Sequence, residues 1–307
     1  MKIAKLLLSL TCLSSSLPLA AMVEVSTLLN LDASGGVTIG PDGFLYVSDF
    51  GPRLSPAQIS TVVYRVDPQS GNYTIFAEGF DGASGATFDG LGNFYQAEPR
   101  GNRVTRISPD GTRSVVADNL ATPVGVQVDE NGTLFVCNCA NSEILKFDSN
   151  GNRSVLVRDQ DILLCPNGLT MDDLGNLYAV TFGAGNVVKI AQDGSLEVLA
   201  ELPVLTGGPS PVGLGHITWG LGQLFVTAIG TGVIYRVGLD GSSEVLAGIP
   251  FAFSNNDGNA DTASFSKPNG IALAADGTRL FVNVSEPGWP TDATGLHPAK
   301  VRVISGF

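Results

Sequence analysis

The feature that most constrains this chain is a repeat. A glycine-rich start leads into a short apolar strand, a tight turn closed by glycine, a second strand of the form Leu-Tyr/Phe-Val and then a polar loop. This unit occupies residues 35–47, 85–95, 123–136, 166–178, 215–226 and 268–282. Its turn glycines, Gly43, Gly92, Gly132, Gly175, Gly222 and Gly277, recur 40 to 55 residues apart across 307 residues. Each unit is followed by two more alternating apolar segments around another turn, such as 103–107 with 113–116 and 143–147 with 154–157. Four short strands in a unit of this period, joined by Asp-Gly and Asn-Gly turns, specify an all-β, six-bladed β-propeller of four-stranded blades.

The sixth unit falls one strand short, because only Ser305-Gly306-Phe307 follows its third strand at 300–304. Residues 23–29 carry the pattern of the missing outer strand. The N-terminal strand is therefore expected to complete the last blade, closing the ring and hiding both edges. The 38 glycines and 17 prolines are turn material for this architecture, and no three-residue period accompanies them.

Ahead of this strand, Lys2 and Lys5 precede an apolar run at 6–13 and a small-residue exit ending at Ala20-Ala21. That is the pattern of a signal peptide over 1–21, leaving 22–307 as a single propeller domain in a secreted protein, extracellular or periplasmic. The apolar run is too short to span a membrane, so no membrane association is expected after cleavage. A net charge of −12 lacks the cationic footprint that nucleic acid requires. Beyond the leader stand Cys137, Cys139 and Cys165, an odd number that allows one bridge with a spare thiol, or none.

In a propeller blade the first strand begins, and the second strand ends, at the same mouth of the central channel. The strand starts form an inner ring of Gly35, Ser84, Val124, Asn167, His216 and Asn269, with one deletion allowed in blade five. The second strands end in an outer ring of Asp49, Glu98, Asn138, Thr181 and Ala228, then Ser285 and Glu286. The longest connections, 50–61, 202–215, 248–267 and 287–299, belong to this face, where loops over a rigid scaffold usually carry function. Ser84, Glu98, Asn138, Asn167, Asn269 and Glu286 are thus the candidate substrate-binding residues. His216 on the inner ring and His297 in the last loop are candidate catalytic groups, one a general base on water and the other orienting it. Cys165 precedes the start of blade four beside the end of blade three, so it is expected to bridge to Cys139, with Cys137 the alternative. Trp219, at a repeated strand position, reads as blade packing. No Gly-X-Ser-X-Gly elbow or His-Glu-X-X-His motif is present.

These units resemble NHL repeats, with a Pro-X-Gly-Val start, an Asp-X-X-Gly turn, a Tyr-Val-like strand and an Asn-rich loop; residues 123–147 match best. The whole of 22–307 is similar to the six-bladed propellers around SMP-30/gluconolactonase. That resemblance implies a lactone or ester hydrolase acting on a small molecule at the central mouth, as a monomer. It also implies a divalent cation such as Ca²⁺, held by an early-strand Glu, by Asn and by Asp. Asn167 stands at the Asn position, Gly35-Gly36 replace the Glu, and Asn269 replaces the Asp. Asn167 and Asn269 are the candidate ligands, and two neutral amides make a weak site for a hard cation. The alternative is a non-catalytic NHL-type scaffold that binds protein or carbohydrate. An enzyme should gather His216, Asn167, Asn269 and an acid around a concave pocket, whereas a scaffold should show a flat face of satisfied side chains.

Overall fold

The computed structural model describes residues 22–51, 60–207, 212–287 and 299–307. Glycine decides where the chain reverses: all six turn glycines take φ between +71° and +81°, a region that side-chain-bearing residues avoid. The strands on either side pair antiparallel, and six sheets result. In blade three, for example, Pro123–Val128, Leu134–Asn138, Glu143–Phe147 and Arg153–Arg158 follow one another from axis to rim. The second strands are buried throughout in blades one to four, and the rim strands are largely exposed. Apolar layers between neighbouring blades make the core. Between blades one and two Tyr46, Phe88 and Phe94 meet edge-on or tilted, with centroids 4.8 to 5.8 Å apart. Trp219 is such a packing residue, stacked on Tyr178 of the preceding blade at 6.0 Å.

The expected closure is present. Glu24–Asn30 runs antiparallel to Ala299–Ser305, with Glu24 opposite Ser305 and Asn30 opposite Lys300. The last blade also has a fifth member that the sequence did not announce, the two-residue strand Gly258–Asn259 on the outer edge of Glu24–Asn30. Buried Arg302 holds this excursion in place: its guanidinium donates to the carbonyls of Ser264 and Asn256 and to Asp257.

At the axis the six first strands come together through backbone. A Cβ on Gly125 would lie 2.5 Å from the Asn167 carbonyl oxygen, and one on Gly168 only 2.7 Å from the His216 Cα. Only glycine permits that approach. The Cys139–Cys165 bridge is formed, with Cα atoms 4.0 Å apart, and Cys137 remains a free buried thiol. Burial pushes the Cys137 thiol well above its ordinary range, which leaves it inert at neutral pH. The leader at 1–21 and His297 lie outside the described residues.

Candidate functional site in the central channel

Register fixes where His216 sits, and it differs from the expected position. The first strands of blades three to six each carry an irregularity just after their start. Pro166 opposes Thr181 and Leu169 opposes Ala179, while Leu214 opposes Ala228 and Ile217 opposes Val226. Gly215, not His216, therefore occupies the Asn167 position. His216 takes the next place, held elsewhere by Gly36, Gly85, Gly125, Gly168 and Gly270. The deletion expected in blade five is present but lies beyond His216, in the turn, since Ile217 opposes Val226 nine residues on whereas Leu169 opposes Ala179 ten residues on.

Five glycines leave an empty axis, and the sixth position fills it. The His216 Cε1 lies 3.0 Å from where Gly85, in the opposite blade, would carry a Cβ. The imidazole thus crosses the channel. It is 7% exposed, burial lowers its pKa to about 4, and its Nε2 has no hydrogen-bond partner. At neutral pH it is an uncharged ring. A buried unpaired nitrogen of this kind costs about 1–3 kcal/mol. Behind it, away from the strand starts, lies a cavity of about 190 Å³ lined by Gly36, Gly85, Gly125 and by Thr38, Thr87, Gln127, Thr170 and Thr218. None of the residues preceding the glycine ring lines that cavity.

The mouth itself is chemically occupied. Asn167 donates through Nδ2 to the Leu214 carbonyl at 3.0 Å, and Asn269 to the Ser34 carbonyl at 2.6 Å, each tying its blade to the next. Glu98 accepts from Arg103 at 2.6 and 3.0 Å, from the Asp81 amide at 2.8 Å and from the Thr105 hydroxyl. Asn138 accepts from the Ala121 amide and donates to Glu143, both at 2.6 Å, and Glu143 is in turn gripped by Arg158. Ser84 is buried, its carbonyl receiving the Gly36 amide, and Glu286 pairs with Lys300 at 3.0 Å. The structure therefore does not bring His216, Asn167, Asn269 and an acid around one pocket.

One part of this network, Asn283, and the burial of a second, the outer-ring Asp49, escaped the sequence. Buried Asn283 accepts from the Gly270 amide and donates to the carbonyls of Ala33 and Gly35, sealing the last blade to the first. Asp49, at the end of its second strand, is buried and pushed up to about 6 by desolvation, against the Gly51 amide and Arg100 and with help from the Asp32 charge. Oppositely charged partners at adjacent strand ends, as with Glu98 and Arg103, were the available signal.

A divalent cation does not fit the residues present. Asn167 and Asn269 offer only neutral amide oxygens, the acid positions are glycine and asparagine, and Glu98 is clamped by Arg103. Among the described residues no three His, Cys, Asp or Glu side chains are grouped as a metal site requires.

Comparison with known proteins agrees with this architecture. The family model of the SMP-30/Gluconolactonase/LRE-like region matches residues 83–230. That stretch, just under half of the chain, is similar to the SMP-30/gluconolactonase-like family. A gluconolactonase of Zymomonas mobilis subsp. mobilis is 28% identical over an alignment of 210 positions, covering 57% of this chain and 55% of that protein. The chain thus spans about half the length of the curated relative it matches. Among solved structures, a gluconolactonase from Xanthomonas campestris superposes with a TM-score of 0.66 at 15% identity, covering 93% of this chain and 91% of that one. Virginiamycin B lyase from Staphylococcus aureus gives 0.62 at 15% identity, over 92% and 98%. An auxiliary nutrient binding protein from Bacteroides ovatus gives 0.70 at 12% identity, over 93% and 77%. Such distant likenesses show the fold alone. For this six-bladed propeller, the chemistry has to be argued from its own axis.

Proposed function

We infer that this propeller is a lactone or ester hydrolase acting on a small molecule, with His216 as its proton acceptor. The observation that carries the reading is the His216 Nε2: buried, uncharged, without a partner, and at the wall of a polar cavity. A water held there gives its proton to Nε2 as its oxygen bonds to the ester carbonyl carbon. The carbon–oxygen bond of the ring then breaks, and the imidazolium returns the proton to the departing alkoxide. In a lactone that alkoxide stays on the same molecule, so a single imidazole serves both transfers. A ring with a pKa of about 4 is a weak base but a strong donor once protonated. At about 190 Å³ the cavity is near the roughly 150 Å³ that holds one benzene ring, so compact lactones suit it and extended ones do not.

Export to an oxidising compartment and action as a monomer belong to the same proposal, and the Cys139–Cys165 bridge supports the first. The rival reading, an NHL-type scaffold for protein or carbohydrate, draws on the mouth, where the polar side chains already satisfy one another.

The decisive experiment is a panel of five- and six-membered lactones and short esters, assayed with and without chelator, on wild type and His216→Asn. Turnover that survives chelation and falls roughly 10²–10⁴-fold in the variant, with an unchanged melting temperature, is the expected outcome. Absence of any turnover would favour the scaffold, and full activity in His216→Asn would remove the histidine from the chemistry.

A further inference from the structure

A second cavity lies far from the axis, in the cleft between blades three and four. Its volume is about 540 Å³, within the range of small-molecule sites. Phe135, Leu156, Met171 and Leu177 make an apolar floor, and Asp129, Glu130 and Asp173 stand around it with Lys146.

Three blades carry an aspartate at the same turn position, and comparing them isolates what differs here. Asp89 takes the amides of Leu91 and Asn93 on Oδ1, and the Asn93 amide group and Tyr95 hydroxyl on Oδ2, at 2.7 and 3.0 Å. Asp172 repeats this with Asn176 and Tyr178, at 2.8 and 2.9 Å. Asp129 keeps the Oδ1 half, accepting from the amides of Asn131 at 3.0 Å and Thr133 at 2.7 Å. Its Oδ2 has lost both partners, because Thr133 replaces the asparagine and Phe135 the tyrosine. Among the described residues nothing bonds to that oxygen. The corresponding cleft between blades one and two is an internal control. There the nearby Asp42 Oδ2 is taken by Tyr46 and Arg65, and Arg113 joins the lining.

We propose that the cleft between blades three and four binds a small organic cation with a flat apolar body, an aryl-alkyl ammonium, whose charge is received by the Asp129 Oδ2. The apolar floor takes the ring, and the unpartnered carboxylate oxygen takes the ammonium in a charge-assisted hydrogen bond. Glu130 and Asp173 add to the negative field, in a chain whose net charge is −12. This site is independent of the axial chemistry.

The chain has three methionines, Met1, Met22 and Met171, so a methyl-labelled methionine sample puts one reporter on the cleft floor and leaves Met22 as an on-protein reference. Titration of the full chain with 2-phenylethylammonium should move the Met171 methyl resonance saturably and leave Met22 in place. The neutral analogue 2-phenylethanol should bind roughly tenfold more weakly or worse, and Asp129→Asn should lose affinity by a similar factor. The double variant Thr133→Asn with Phe135→Tyr, which restores the arrangement of the adjacent blades, should abolish binding while leaving the fold intact. A Met171 methyl that does not respond, an alcohol that binds as well as the ammonium, or undiminished binding in both variants would each overturn the proposal.

Discussion

The mouth of the propeller and the channel behind it differ in a way that composition hides. The mouth is crowded with acids, amides and arginines, and nearly every one is bonded to another: Glu98 to Arg103, Asn138 to Glu143, Asn167 and Asn269 to backbone. The channel wall carries threonines, Gln127 and His216, and among these the His216 Nε2 is buried with nothing to bond. Polar groups at the mouth have their demand met within the protein and act as fasteners. The unmet group is the one available for chemistry, which is why substitutions in the two regions should separate stability from turnover.

The largest separation is expected from the bridge at the mouth. Replacing Cys139 and Cys165 by serine releases a loop with a sequence separation of 26 residues, which should cost about 3.5 kcal/mol of stability while leaving lactone turnover at permissive temperature unchanged. Denaturant melts beside steady-state rates would check it. Loss of turnover in the still-folded variant would mean that the mouth geometry, and not only the axis, carries the reaction.

The next effect, about 3 kcal/mol, appears only as a function of pH. His216 is lowered from 6.5 to about 4, so between those values the unfolded chain takes up a proton that the folded one refuses, and stability falls as pH falls. Asp49 is raised from 3.8 to about 6, so the folded chain takes up the proton first, and stability rises as pH falls through nearly the same window. The two slopes oppose each other in the wild type. Relative to it, His216→Asn should gain stability as the medium is acidified from about pH 6.5 to 4, and Asp49→Asn should gain at neutral pH and lose that advantage near pH 4. Parallel slopes in the two variants would show that one of the two groups is not buried as described.

The smallest effect concerns a residue first read as substrate-binding. Glu98→Gln keeps the size of a side chain that is fully buried but removes the charge facing a partly exposed Arg103, and about 2 kcal/mol of stability should go with it. KM for any lactone should stay put. A raised KM with an unchanged melting temperature would return Glu98 to the binding surface.

How much of this was legible beforehand depended on whether a residue's role was local. The blades were, because each strand reversal needs a positive-φ residue and the six turn glycines declare themselves in order. The ring closure followed from counting strands, and the bridge from asking which strand ends share a face. The alignment of His216 was not legible, because blade five is one residue shorter than blade four between paired positions of its first two strands, and a sequence does not say on which side of His216 that residue is missing. Nor was the fate of Glu98 or Asn167. Whether a polar side chain is spent on a neighbour or left for a ligand is settled by blades that lie dozens of residues away.

The closure of the last blade by Glu24–Asn30 also sets an order in time. Blades one to five are each built from contiguous chain and can form as they emerge during synthesis. The strand that finishes the sixth is made first and has its partner, Ala299–Ser305, made last. Until then Glu24–Asn30 has no strand to pair with and its amides and carbonyls stay unsatisfied, while the apolar faces at the two ends of a five-blade arc lie open, the condition under which β-rich chains pair with each other instead. The ring therefore has a vulnerable interval built into its synthesis, and it ends in a single act when the first and last strands meet and Gly258–Asn259 covers the remaining edge.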